Sequence, residues 1–98
     1  MSYKLKLKFK FKNEALKEWR KLDNDVRSHF KKCLIKRLDN PRVESARLNG
    51  LKDCYKIKLR AAGFRLVYEV RDNELVVSVV TVGKRERNQV YNIARKRI

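Results

Sequence analysis

With 98 residues the chain has room for one small core and no second one, so residues 1–98 are expected to form a single domain. Lysine and arginine number 27 against 11 acidic residues, a formal charge of +16 whose self-repulsion points to a polyanion or an acidic protein as partner, nucleic acid first among them. Intrinsic disorder is excluded by 43% hydrophobic content with only three glycines and one proline.

Residues 3–12, YKLKLKFKFK, alternate Tyr3, Leu5, Leu7, Phe9 and Phe11 with five lysines, the period-two pattern of a half-buried strand. Lysines on such a face also protect a sheet edge, so solvent is sufficient to explain most of them. Asn13 then offers an N-cap for a short helix in which Ala15, Leu16, Trp19 and Leu22 recur at helical spacing. The polar turn at Asp23 to Asp25 starts a second helix with Val26, Phe30, Cys33, Leu34 and Leu38 on one stripe, and Asn40-Pro41 ends it. These two form a helical hairpin.

Beyond an irregular link around Leu48-Asn49-Gly50, period two returns in Cys54 to Arg60, Phe64 to Val70 and Glu74 to Val82, which predicts a three-stranded antiparallel meander. Asp72-Asn73 suits a two-residue hairpin turn, and Gly63 takes a positive φ in the longer Arg60 to Gly63 loop. Gly83 lets the chain bend after the third strand, and Lys84 to Ile98, with Val90, Ile93, Ala94 and Ile98, forms a C-terminal helix. The fold class is therefore α+β: N-terminal strand, helical hairpin, three-stranded antiparallel meander and C-terminal helix.

Face matching sets a register, because a slip of one residue would drive lysines into the core. If Tyr55, Ile57 and Leu59 share a face with Phe64, Leu66 and Tyr68, then Lys58 lies opposite Arg65 and Lys56 opposite Val67. The two-residue turn would put Val80 opposite Arg65 and Ser78 opposite Val67. Like charges facing each other across strands cost up to about 1 kcal/mol per pair, which a bound anion would relieve and which splaying of the side chains into water would relieve equally. Arg85 can turn back over that face, and Arg87 and Tyr91 are i,i+4 neighbours on the helix. Tyrosine stacks on bases and arginine forks onto phosphate, so a basic concavity with one aromatic suits single-stranded RNA.

Other chemistries find little footing. Cys33 and Cys54 have neither CxxC spacing nor a nearby histidine, so no metal, no disulfide and no cofactor is expected, and reduced thiols in the cytoplasm are the simplest reading. No apolar run approaches the roughly 20 residues of a membrane span, and the N-terminus lacks a signal-peptide core, so no membrane association is expected. His29 is the one histidine, the acidic residues are scattered, and Gly50, Gly63 and Gly83 cannot build a phosphate-binding cradle. RNA cleavage needs no protein nucleophile, since the ribose 2′-hydroxyl attacks the adjacent phosphorus. A lysine crowded by like charges, Lys56 or Lys58, would share in proton transfer. Arginine would stabilise the phosphorane-like transition state. Tyr91 would accept the 2′-hydroxyl proton only if surrounding cations lowered its pKa from about 10.

Four stretches together resemble the RelE family of bacterial toxins over nearly the whole chain: ALKEWRKL at 15–22, DCYKIKLR at 53–60, GFRLVYEV at 63–70, and VGKRER at 82–87 with VY at 90–91. The resemblance implies a RelE/ParE-like, microbial-ribonuclease-like fold and a metal-independent endoribonuclease that cuts mRNA in the A site of the 70S ribosome, against the 16S rRNA, leaving a 2′,3′-cyclic phosphate. It also implies a RelB-like antitoxin that represses the shared operon together with the toxin. Matched position by position, Lys56, Lys58, Arg65, Arg85 and Tyr91 correspond to the catalytic set, with Lys84, Arg87 and Arg60 as RNA contacts. Asn49 departs from the family, standing where close relatives carry a basic residue. The same small fold serves ParE-like toxins that poison gyrase, and a non-catalytic rRNA-binding protein would show the same charge.

Overall fold

The computed structural model describes residues 8–71, 76–84 and 89–98. Strand β1 (Lys8–Phe11) is followed by helices α1 (Asn13–Arg20) and α2 (Asn24–Asp39), a short 3-10 turn (Glu44–Ala46), strands β2 (Cys54–Leu59), β3 (Phe64–Arg71) and β4 (Val76–Lys84), and helix α3 (Gln89–Arg97). The α+β order expected from the pattern is thus present. The sheet order is β1-β4-β3-β2, the last three antiparallel and β1 parallel to β4. Strand β1 is the described part of the run expected over 3–12, with Lys8 and Lys10 exposed and Phe9 and Phe11 half-buried.

One face of the sheet packs on α1 and α2. Phe30 and Leu34 of α2 are fully buried there with Tyr55, Ile57, Leu66, Tyr68 and Val79. Trp19 of α1 is packed between Phe11, at 5.0 Å between ring centroids, and Phe30, at 6.3 Å. The other face carries a smaller cluster, Cys54, Val67 and Val80 from the strands against Val90 and Ala94 of α3. The sheet centre is therefore covered on both sides, which is why β4 reads as an almost unbroken apolar run.

Four expectations need correction. Asn13 is the first residue of α1 rather than its cap: Lys12 holds the cap position, because its N–H still extends the β1 pairing to the Val79 carbonyl at 3.0 Å while its own carbonyl accepts from Leu16 N at 2.9 Å. The register between β3 and β4 also differs. Arg71 pairs with Val76, which a two-residue turn at Asp72-Asn73 would not allow, and a bulge between Val67 and Tyr68 shifts the ladder once more. Arg65 consequently faces Gly83 and Val67 faces Thr81, instead of Val80 and Ser78. Gly83 does not bend the chain: it lies inside β4, which runs on through Lys84, so the last helix begins later than Lys84. It lies directly beneath α3: a Cβ there would make ordinary contact with Val90 Cγ2 at 3.5 Å, and a longer side chain would meet the helix. By contrast, the expected register between β2 and β3 is present, with Lys58 opposite Arg65, Lys56 opposite Val67 and Leu59 opposite Phe64. Gly63 has φ +70 as its loop requires.

A basic concavity between the sheet and the last helix

Alternation along β2 and β3 puts Lys56, Lys58 and Arg65 on the face that α3 covers. They differ in burial: Lys58 is exposed, Lys56 half-buried, and Arg65 only 8% exposed. A guanidinium this enclosed has Gly83 as its cross-strand partner, so no side chain competes for the adjoining space, and its Nη1 donates to the Phe64 carbonyl at 3.3 Å. Such a fixed, partly dehydrated cation interacts more strongly with an arriving anion than one in bulk water.

Helix α3 brings Tyr91 over this floor. Val90 and Ala94 are buried beneath the helix, and the neighbouring Tyr91 is turned to the rim, its ring centroid 5.9 Å from Lys56 Nζ, in cation–π range. Beside them opens a pocket of about 330 Å³ lined by Arg47, Leu48, Asn49, Lys56, Tyr91, Asn92 and Arg95. Among the described residues that line it there is no carboxylate. Apart from Asn49, the sequence reading passed over the flanking positions. Arg95 was legible as the i+4 neighbour of Tyr91, whereas Arg47 reaches the pocket only through a tertiary bridge to Tyr55.

The remaining expected site residues are distributed differently. Lys84 is exposed at the end of β4 opposite Phe64, and alternation puts it on the other face from Gly83. Arg60 follows β2 and shares a depression of about 540 Å³ with Lys58 and with Asp25 and His29 of α2, a depression that Tyr91 does not line. Arg85 and Arg87 lie outside the described residues. Among the described residues no group of three or more His, Cys, Asp or Glu side chains could hold a metal ion.

Two buried groups stiffen the scaffold below the site. Tyr68 donates its hydroxyl hydrogen to the Pro41 carbonyl at 2.7 Å and accepts from Arg37 Nη1 at 2.9 Å, tying the end of α2 to β3. Burial raises the pKa of this phenol, an effect that the Arg37 hydrogen bond partly offsets. Cys54, fully buried at the start of β2, has its thiol pushed up to about 12, first by burial and then by the charges of Glu69 and Asp53. It is a packing residue rather than a nucleophile.

A family model described as the ParE toxin of the type II toxin-antitoxin system parDE matches residues 9–89. Over 88 residues, 90% of this chain and 93% of the other, the sequence is 57% identical to the mRNA interferase toxin RelE of Escherichia coli K12. The chain belongs to the RelE family of toxins. Its fold is that of the family as well: the TM-score is 0.88 to a free-state E. coli RelE with two arginines replaced by alanine, at 51% identity and covering 96% of this chain and 99% of that one. The same variant toxin bound to a peptide of the antitoxin RelB gives a TM-score of 0.81 at the same identity and coverage. In this RelE-family chain the cations of β2 and β3 and the tyrosine of α3 thus meet on one face of the sheet. No described helix is long and apolar enough to cross a membrane.

Proposed function

We propose that this chain is the toxin of a type II toxin-antitoxin pair and an endoribonuclease that cuts mRNA in the ribosomal A site. The observation that carries the reading is that Lys56, Lys58 and Arg65 stand on the sheet face that α3 covers, with the Tyr91 ring centroid 5.9 Å from Lys56 Nζ at its rim. An RNA phosphate seated over Lys58 and Arg65 meets two cations that face each other across the strands. The ribose 2′-hydroxyl attacks the phosphorus; Tyr91 as its phenolate or Lys56 as its free amine, close together at the rim, takes that proton, and a second group in its protonated form gives one to the leaving 5′ oxygen as the P–O5′ bond breaks. Arg65, enclosed and permanently charged, stabilises the extra negative charge of the transition state. Arg85 belongs to the same set by its match to the family, and Lys84, Arg87 and Arg60 are proposed RNA contacts outside the cleavage step.

The reading has two further parts. A RelB-like antitoxin is the proposed protein partner, supported by the RelB-bound relative, and the pair would repress its own operon in the cytoplasm. Dependence on the ribosome is part of the same proposal, since the described residues that line the pocket beside Tyr91 include no histidine or carboxylate to act as a ready acid or base on free RNA. The ParE description of the matching family model supports a second reading, poisoning of gyrase.

Primer extension on ribosomes programmed with a defined message separates the two. Cuts within A-site codons are expected from the unsubstituted chain, with a loss of roughly 100-fold or more in Tyr91→Ala and Arg65→Ala. Undiminished codon cutting by both variants, or no cutting by the unsubstituted chain together with gyrase-dependent DNA breaks, refutes the nuclease reading.

A further inference from the structure

We propose that the pocket between residues 47–49 and α3 is a second subsite, which seats the message nucleotide next to the scissile phosphate and reads its base through the amides of Asn49 and Asn92. This inference rests on the reading of the chain as an mRNA-cutting toxin.

Both walls of the pocket are built before any ligand arrives. On one side Arg47 bridges to Tyr55 and Leu48 N donates to the Cys54 carbonyl at 3.0 Å, so this segment continues the sheet beyond its edge strand β2. The return into β2 is pinned too. Gly50 has φ +81, Asp53 has φ +61, the Asp53 carboxylate is paired with Arg42 at 2.6 Å, and its carbonyl accepts from Val70 N at 2.8 Å. On the other side α3 carries Tyr91, Asn92 and Arg95 into the lining. That helix is held by buried Val90 in its first turn, by buried Ala94 at its middle and by Arg97 at its end. Preformed walls spare a ligand the entropic cost of ordering them.

The lining chemistry selects a nucleotide over other anions. An amide offers a donor and an acceptor side by side, the pattern of a base edge, and two such amides face this pocket. Arg47 and Arg95 supply guanidinium forks suited to phosphate, Tyr91 a stacking face, and Leu48 an apolar patch. Lys56 and Tyr91 belong to both the pocket and the cleavage site, so a chain of RNA with its phosphate over Lys58 and Arg65 has its neighbouring nucleoside beside the pocket mouth.

The test uses RNA trinucleotides with 2′-O-methyl groups, which cannot be cut, in series that differ by one base, binding to the unsubstituted chain and to Asn49→Ala, Asn92→Ala and the double variant. All three side chains of interest at the rim, Asn49, Asn92 and Arg95, are exposed, and thermal unfolding checks that the variants remain folded. The expected result is a base preference in the unsubstituted chain that shrinks by roughly tenfold in the double variant, the worth of a lost hydrogen-bonded base contact. A preference that is unchanged in the double variant, or absent from the unsubstituted chain, overturns the proposal. Affinity that falls equally for every base also overturns it, since that marks a structural role. Cleavage of ribosome-bound message is followed in parallel: absence of cuts by the unsubstituted chain refutes the nuclease reading alone, while the binding series still decides the subsite.

Discussion

Replacing Glu18 by alanine removes one carboxylate that closes several open ends at once. Strand β1 stops pairing with β4 after Val79, which leaves the edge groups of Val80 and Val82 without a neighbouring strand. Side chains take its place: Glu18 Oε1 accepts from Val82 N at 3.4 Å and from Thr81 Oγ1 at 3.0 Å, and Arg97 Nη1 donates to the Val80 carbonyl at 3.0 Å. The two also pair with each other, Nη1 to Oε1 at 2.7 Å and Nη2 to Oε2 at 3.3 Å, and so fasten the end of α3 to α1. Breaking a fully buried pair costs about 3–5 kcal/mol. Here the Glu18 side chain keeps 26% of its exposure and Arg97 retains Glu14 at 2.7 Å, so the loss expected for Glu18→Ala is about 2–3 kcal/mol. For a domain of this size that lowers Tm by roughly 10–20 °C. Urea unfolding of Glu18→Ala, Arg97→Ala and the double variant measures it, with a coupling of about 1–2 kcal/mol expected between the two sites. A loss below about 0.5 kcal/mol, the level of ordinary surface changes, would refute the argument that these side chains substitute for the missing strand.

Tyr68→Phe removes the hydroxyl shared by Arg37 and Pro41 and is expected to cost about 1–2 kcal/mol in urea unfolding; a neutral result would mean that the two partners find other bonds. Gly83→Ala should fold normally, because its Cβ makes ordinary contact with Val90, whereas Gly83→Leu should push α3 from the sheet and lower codon cutting with little loss of ribosome binding, as read by pelleting with ribosomes. The Cys54 thiol is pushed from 9.0 to about 12 in the folded chain, so the stability it confers is fully present below about pH 9 and falls as the pH climbs from there toward 12. That decline reaches at most about 1.4 kcal/mol per pH unit. Urea midpoints taken between pH 8.5 and 11 should fall less steeply for Cys54→Ala than for the unsubstituted chain, and equal slopes would show that this thiol does not titrate as its burial demands.

Much of the site could be read from residue order, for a specific reason. Strands β2 and β3 have polar and apolar residues alternating at their shared register, so only one pairing keeps lysines out of the α1 and α2 core, and Lys58 opposite Arg65 follows. Helix α2 was equally legible, since Val26, Phe30 and Leu34 mark a stripe that nothing interrupts. Strand β4 gave no such marker. It is buried on both faces, every slip leaves valine in contact with valine, and the bulge that turns Arg65 toward Gly83 has no counterpart in the pattern. Asn13 misled in another way: it has the chemistry of a cap, but the β1 to β4 pairing persists through Lys12 and moves the helix boundary by one residue.

By itself, then, the sequence determined the charge, the element types and the face on which Lys56, Lys58 and Arg65 stand, because these depend on composition and on periods of two and 3.6 residues. Tertiary structure alone decided that Gly83 is a seat for α3, that Tyr91 comes to rest above Lys56, and that Glu18 and Arg97 complete an unfinished sheet edge. Those contacts join residues tens of positions apart, and their geometry depends on how two sheet faces are covered at once, which no local pattern records.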